Sequence, residues 1–137
     1  MLAQEPTLLK IGELAAQSAV PIKTIRYYEE LGLLKSSGRT EGQFRLFHPS
    51  TATRLAFIKR LQSLGLSLQE IGECLTVYDQ GDLPCGDIQS KLEQQVAEID
   101  RKVAELLLLR QELSDVLQSW SMIPQKQQGS ICPNLQV

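Results

Sequence analysis

A mainly α-helical chain, a small helical domain followed by one long helix, is predicted by three features of this 137-residue sequence. Apolar residues recur at helical spacing in short stretches up to Tyr78. The segment Tyr78–Pro84 (YDQGDLP), rich in Gly, Pro and Asp, interrupts that pattern. Beyond it, Leu92, Val96, Ile99, Val103, Leu106, Leu113, Leu117 and Trp120 follow a 4-3-4-3 spacing, with Arg110 in the remaining slot. These features place a compact domain at 1–79, a linker at 80–86, a long coiled-coil helix at 87–121 and a tail at 122–137.

Each element has its own signal. In IGELAAQ, Ile11, Leu14 and Ala15 share one face of a short helix, and Ala16 permits close helix approach. Ser18, Ala19 and Val20 form a tight link, and Pro21 opens the next helix, where a first-turn proline is tolerated. That second helix is expected over Lys23–Leu34 (KTIRYYEELGLL), with Ile25, Leu31 and Leu34 as apolar anchors. Lys23, Thr24, Arg26, Tyr27 and Tyr28 crowd its first half, where they can reach phosphates and base edges. Helix, short link and basic aromatic helix make a helix-turn-helix pattern, although the usual turn glycine is missing. A turn-rich stretch follows, and alternation in Gln43–Phe47 fits one arm of a β-hairpin, or wing. Ser50 is the expected N-cap of a helix from Thr51 to Leu64. Its apolar stripe is Leu55, Ile58, Leu61 and Leu64, and its solvated face is Arg54, Lys59 and Arg60. Gly65 ends it, and Ser67 with Glu70 forms a capping box for a helix burying Ile71, Cys74 and Leu75.

Charge supports a polyanion partner for the front half. Residues 1–60 hold nine Lys/Arg against five Asp/Glu, while the remainder holds five against eleven. No apolar run is long enough to span a bilayer, and the N-terminal stretch lacks the pattern of a signal peptide, so a cytoplasmic location and no membrane partner are expected. A nucleophile with a base, a phosphate loop and paired carboxylates in a cleft-forming context are all missing, which argues against an enzyme. A helix over Asp87–Trp120 would be roughly 50 Å long. That is too long for a domain of this size to cover, so a second copy of the chain is the natural partner and a homodimer is expected. Arg110 is read either as a register device or as an exposed residue near the end of the contact.

The succession IGELAAQ, KTIRYYEELGLL, RTEGQFRLFHPS and FIKRLQSLGLSLQEI resembles the DNA-binding domain of the MerR family of transcription regulators over residues 8–79. The fold class implied is a winged helix-turn-helix domain followed by a long coiled-coil dimerisation helix. DNA contact is expected from Lys23, Thr24, Arg26, Tyr27 and Tyr28, and from Arg39 and Arg45 flanking the wing. In the wing, Phe44 and Phe47 stand where relatives carry tyrosines, so hydroxyl contacts to phosphate are lost there. The resemblance further implies an antiparallel helix pair, a pseudo-palindromic site on promoter DNA, and an indirect partner in RNA polymerase, which uses DNA that the regulator bends and untwists.

The three cysteines, Cys74, Cys85 and Cys132, are expected to be reduced and suit neither a disulfide framework nor a complete tetrahedral site in one chain. Cys74 reads as a core residue on an apolar helix face. Cys85 precedes the long helix, at the end whose dipole favours anions, and Cys132 lies in a polar tail before Pro133. Both match positions of the metal-sensing MerR branch, which completes its site across the dimer with Cys85 of one chain and Cys132 of the other. A further cysteine, expected eight or nine residues before Cys132, is absent, and Met122, Ile123 and Pro124 occupy that region. Two thiolates suit a soft thiophilic ion that accepts near-linear coordination, so Hg(II) is the favoured effector, with Zn(II) or Cu(I) as alternatives and Met122 as a weak third ligand. Two other readings stand beside this one: a regulator without metal sensing that responds to thiol oxidation or a protein partner, and a coiled-coil protein-interaction module.

Overall fold

The computed structural model describes residues 7–122, 125–126 and 128–135. Its helices are α1 (Ile11–Ser18), α2 (Ile22–Glu30), α3 (Ser50–Ser63), α4 (Leu68–Asp79) and α5 (Cys85–Gln118), with strands β1 (Leu9–Lys10), β2 (Gly38–Arg39) and β3 (Arg45–Phe47). The chain divides into two compact units at Leu92 and Glu93. That division falls inside α5, not in the expected linker, because the first turns of α5 still pack on the helical domain. Ile88 and Leu92 lie partly buried against its core.

In the first unit, the core is built where α1, α2, α3 and α4 converge: Leu14, Ile25, Leu34, Phe47, Leu55, Ile58, Ile71 and Cys74 are fully buried. The α1–α2 link replaces the usual glycine with Ala19, which takes a left-handed φ of 56°. Local hydrogen bonds hold it there. Ser18 Oγ donates to Leu14 O at 2.7 Å and accepts from Val20 N at 3.3 Å, compensating a strain of about 1–2 kcal/mol. The second helix is shorter than expected. Gly32, with φ of 80°, terminates it at Glu30, with Leu33 N donating to Tyr28 O at 2.9 Å. Leu31 is consequently 47% exposed, and Leu33 and Leu34, beyond the helix, are the residues that enter the core.

The wing is a three-stranded antiparallel sheet in the order β1-β3-β2. Leu9 pairs with Phe47, and Arg39 with Arg45. β1 has only two residues and no alternation to announce it; it forms because the exposed edge of β3 offers unpaired backbone groups beside the start of α1.

Three expectations for α3 change. Ser50 is its first residue rather than its N-cap, and its Oγ lies 2.7 Å from His48 Nδ1. Leu64 is 37% exposed because the helix closes there, and Leu66 takes its place in the core at 4%. Arg54 is not on a solvated face. Its Nε donates to Leu33 O at 2.6 Å, and its two terminal nitrogens grip Asp79 at 2.7 and 2.9 Å. This fork joins the chain just after α2 to the last turn of α4. The Ser67–Glu70 capping box forms as expected, with Glu70 N donating to Ser67 Oγ at 3.1 Å and Ser67 N to Glu70 Oε1 at 3.0 Å.

In the second unit, α5 continues to Gln118, two residues short of Trp120. Arg101 bridges Glu98 and Glu105 along its solvent face. A short 3-10 turn, Pro133–Leu135, follows further on. Among the described residues, no helix is long and apolar enough to cross a membrane.

The Arg54 guanidinium holds the Asp79 carboxyl below the usual range, through its hydrogen bonds first and its charge second. A depressed carboxylate contributes stability that is complete above the unfolded-state value and is lost as pH falls through the folded one. Asp79→Asn should therefore lower stability at pH 7 by about 0.5–1.5 kcal/mol, because Asp79 is half exposed, and the difference should shrink towards zero below the depressed value. Urea unfolding of both proteins across pH 7 to 3 measures this.

Candidate nucleic-acid interface and thiol positions

The two faces of α2 have opposite assignments. Ile25 and Tyr28 face the core at 0% and 5% exposure, while Lys23, Arg26 and Tyr27 stand in solvent and Thr24 is partly covered. Burial of one face fixes where the other points, so the exposed groups are presented by a rigid element. Tyr28 departs from the expected contact set. Its ring is a core residue, and its hydroxyl donates to Gln62 Oε1 of α3 at 2.8 Å. The tyrosine pair therefore divides its work, with Tyr27 outside and Tyr28 inside. Their ring centroids are 6.3 Å apart.

The wing contributes Arg39, which is exposed, and Arg45, whose Nε is 2.7 Å from Glu29 Oε1 of α2. Arg45 thus ties the wing to the second helix, and any contact it makes to phosphate must compete with that pair. At the wing tip, Gln43 adopts φ of 66°, and Thr40 N donates to Phe44 O at 2.9 Å. The turn leaves Phe44 69% exposed, whereas Phe47 is fully buried. The two aromatics that looked equivalent in the sequence have separate roles, because Phe44 sits in the turn before β3 while Phe47 ends the strand with its ring in the core.

All three cysteines are free. Cys74 is buried in the core, and desolvation pushes its thiol up, away from the thiolate that metals and oxidants need. Cys85 is exposed at the first residue of α5, two residues earlier than the helix start expected from the sequence. Cys132 is half-buried, just before the 3-10 turn. Met122, the expected weak third ligand, is exposed, while Ile123 and Pro124 lie outside the described residues. Among the described residues, no group of three or more His, Cys, Asp or Glu side chains is gathered to hold a metal.

The expected dimerisation residues divide as well. Val96, Ile99, Val103, Leu106, Leu113 and Leu117 are all exposed large apolar side chains. Leu92 is the exception, since it packs against the core of its own chain. Arg110 is exposed within this stripe, in the slot between Leu106 and Leu113.

The Arg54 fork, the Gln62 acceptor and β1 were not expected from the sequence. The first two are long-range pairings of ordinary polar residues, and no local pattern marks them.

A helix pair whose second member carries an exposed basic face, backed by a short wing, defines a winged helix-turn-helix DNA-binding protein. Family models agree: residues 9–76 match the MerR HTH family regulatory protein, and residues 52–116 match MerR, DNA binding. A mercuric resistance operon regulatory protein from Bacillus cereus is 40% identical over 107 residues, which is 78% of this chain and 81% of that protein. Among solved structures, a transcription regulator from Ralstonia metallidurans CH34 in complex with lead(II) is 34% identical with a TM-score of 0.70, covering 85% of this chain and 91% of that one. A dual-function MerR from Bacillus megaterium MB1 in complex with mercury(II) is 32% identical with a TM-score of 0.60, covering 92% and 95%. The chain belongs to the MerR family of transcription regulators, a DNA-binding and non-enzymatic family.

Tyr28→Phe should cost about 1 kcal/mol of stability by removing the bond to Gln62, whereas Tyr27→Phe should leave stability unchanged. Chemical unfolding of the two variants separates the buried tyrosine from the exposed one.

Proposed function

We propose that this MerR-family regulator binds promoter DNA as a homodimer and is activated by a soft metal ion, Hg(II) before others, held by the thiolates of Cys85 and Cys132 from opposite subunits. The observation that carries the effector part is the contrast among the thiols: Cys74 is buried, whereas Cys85 is exposed and Cys132 half-buried. The donor set fits the ion. Two thiolates satisfy near-linear Hg(II), whereas a structural zinc site asks for four ligands. The mercury and lead named for the similar proteins support the same class of effector.

The DNA part rests on Lys23, Thr24, Arg26 and Tyr27 of α2 with Arg39 of the wing; Arg45 adds to these where its pair with Glu29 opens. Arg26 and Tyr27 are assigned base edges or the adjacent backbone, and Lys23, Thr24 and Arg39 phosphates. The dimer part rests on the exposed stripe of α5. Covering its six large apolar side chains would contribute on the order of 10 kcal/mol before the costs of association. Two copies of α2 related by a two-fold axis then address two half-sites. A bound metal, when present, supplies a cross-link between subunits. The dimer converts that constraint into bending and untwisting of promoter DNA, in a form that RNA polymerase uses.

The experiment is a titration of the reduced full-length protein with Hg(II), Zn(II) and Cu(I), followed by thiolate-to-metal absorption, for wild type, Cys85→Ser and Cys132→Ser. Hg(II) should bind wild type at one ion per dimer site, and each substitution should abolish tight binding. Tight binding that survives in both variants sinks the metal reading. If no ion binds, and mild peroxide changes promoter binding in wild type only, the effector is an oxidant acting on the same thiols.

A further inference from the structure

Asn134 makes two hydrogen bonds to the backbone of a residue thirteen positions earlier. Ser121 N donates to Asn134 Oδ1 at 2.8 Å, and Asn134 Nδ2 donates to Ser121 O at 2.9 Å. One side-chain amide thus satisfies both backbone groups of Ser121, just past the end of α5, where orphan carbonyls otherwise turn to water. The same few residues are stiffened from within. Pro133 fixes its own φ, and Leu135 N donates to Cys132 O at 3.0 Å across the 3-10 turn. Cys132 therefore precedes a rigid turn that is pinned to the end of a long helix, and its thiol is half-buried.

We infer that Asn134 is a positioning residue for the Cys132 thiol, pinning the Cys132–Leu135 turn to the backbone of Ser121 through two hydrogen bonds. This rests on the reading that Cys132 supplies a thiolate. A thiol on an unpinned turn loses affinity to the ordering of that turn when it takes up an ion, and a turn already pinned does not. Asn134 does the pinning. The amide suits the task because it offers a donor and an acceptor side by side, matching the acceptor and donor of one peptide residue. Aspartate keeps the acceptor and loses the donor; alanine loses both.

The test begins with the metal-free, reduced full-length protein. Iodoacetamide labelling of Cys132 is timed by peptide mass spectrometry, with Cys85 in the same sample as the internal reference, for wild type, Asn134→Ala and Asn134→Asp. Asn134→Ala should speed labelling of Cys132 by about tenfold, the loss of two modest hydrogen bonds, and leave Cys85 and the thermal midpoint unchanged. Asn134→Asp should fall between it and wild type. Unchanged Cys132 labelling in Asn134→Ala overturns the inference, as does equal acceleration at Cys85. Hg(II) competition against a small dithiol then separates the two levels. Asn134→Ala should bind about tenfold more weakly than wild type, and equal affinity contradicts a positioning role. If Cys132→Ser binds Hg(II) as tightly as wild type, the reading of Cys132 as a ligand fails, while the labelling result still decides whether Asn134 holds that thiol.

Discussion

Everything in the first unit depends on α2 being held by one face while the other stays free. Ile25 and Tyr28 belong to the same buried core as Leu14, Leu34, Leu55 and Ile58, so the helix cannot rotate without exposing both and breaking the Tyr28–Gln62 bond. The turn after α2 is fixed separately, by Gly32 and by the carbonyl of Leu33 accepting from Arg54. Arg45 adds an ion pair from the wing to Glu29. Three kinds of interaction, apolar, hydrogen-bonded and ionic, therefore restrain a helix of nine residues that could not persist alone. Rigidity of this sort gives Lys23, Arg26 and Tyr27 a defined direction, and a defined direction is what separates reading base edges from general attraction to phosphate.

The long helix obeys the opposite rule. Beyond Leu92, the large apolar side chains of its stripe are exposed among the described residues. Val96, Ile99, Val103 and Leu106 would be a liability on a monomer, since contiguous exposed apolar surface signals an interaction site. The Arg101 bridges to Glu98 and Glu105 mark the face that stays in water. With that stripe exposed, and Leu107, Leu108 and Leu109 exposed beside it, α5 presents more apolar surface than its own chain covers among the described residues. In the proposed dimer, covering that surface places two copies of α2 on one duplex.

Most of the fold was legible because it follows local rules. The helix-turn-helix order, the Ser67–Glu70 box and the burial of Ile71, Cys74 and Leu75 came from spacing and capping chemistry, and the structure has them. What escaped were pairings across long separations. Arg54 looked like a surface residue because its partners, Leu33 and Asp79, lie 21 and 25 positions away. Tyr28 looked like a contact because nothing local reveals that Gln62 receives its hydroxyl. Leu92 belonged to the heptad pattern and also to the domain core, and spacing cannot tell a residue that serves one from a residue that serves the other. At the thiols, the helix face of Cys74 predicted its burial, which the structure has, but no local pattern signals that Asn134 reaches back to Ser121.

The central claim is that the free face of α2, presented twice, reads DNA. Hydroxyl-radical footprinting on a duplex selected by the protein from a random library tests it most directly, with wild type and Arg26→Ala compared at equal thermal stability. The account predicts two protected segments related by a two-fold axis for wild type, and for Arg26→Ala a loss of about 1–3 kcal/mol in affinity with relaxed preference at the bases that Arg26 faces. A single protected segment, or a footprint and sequence preference unchanged by Arg26→Ala, would contradict it.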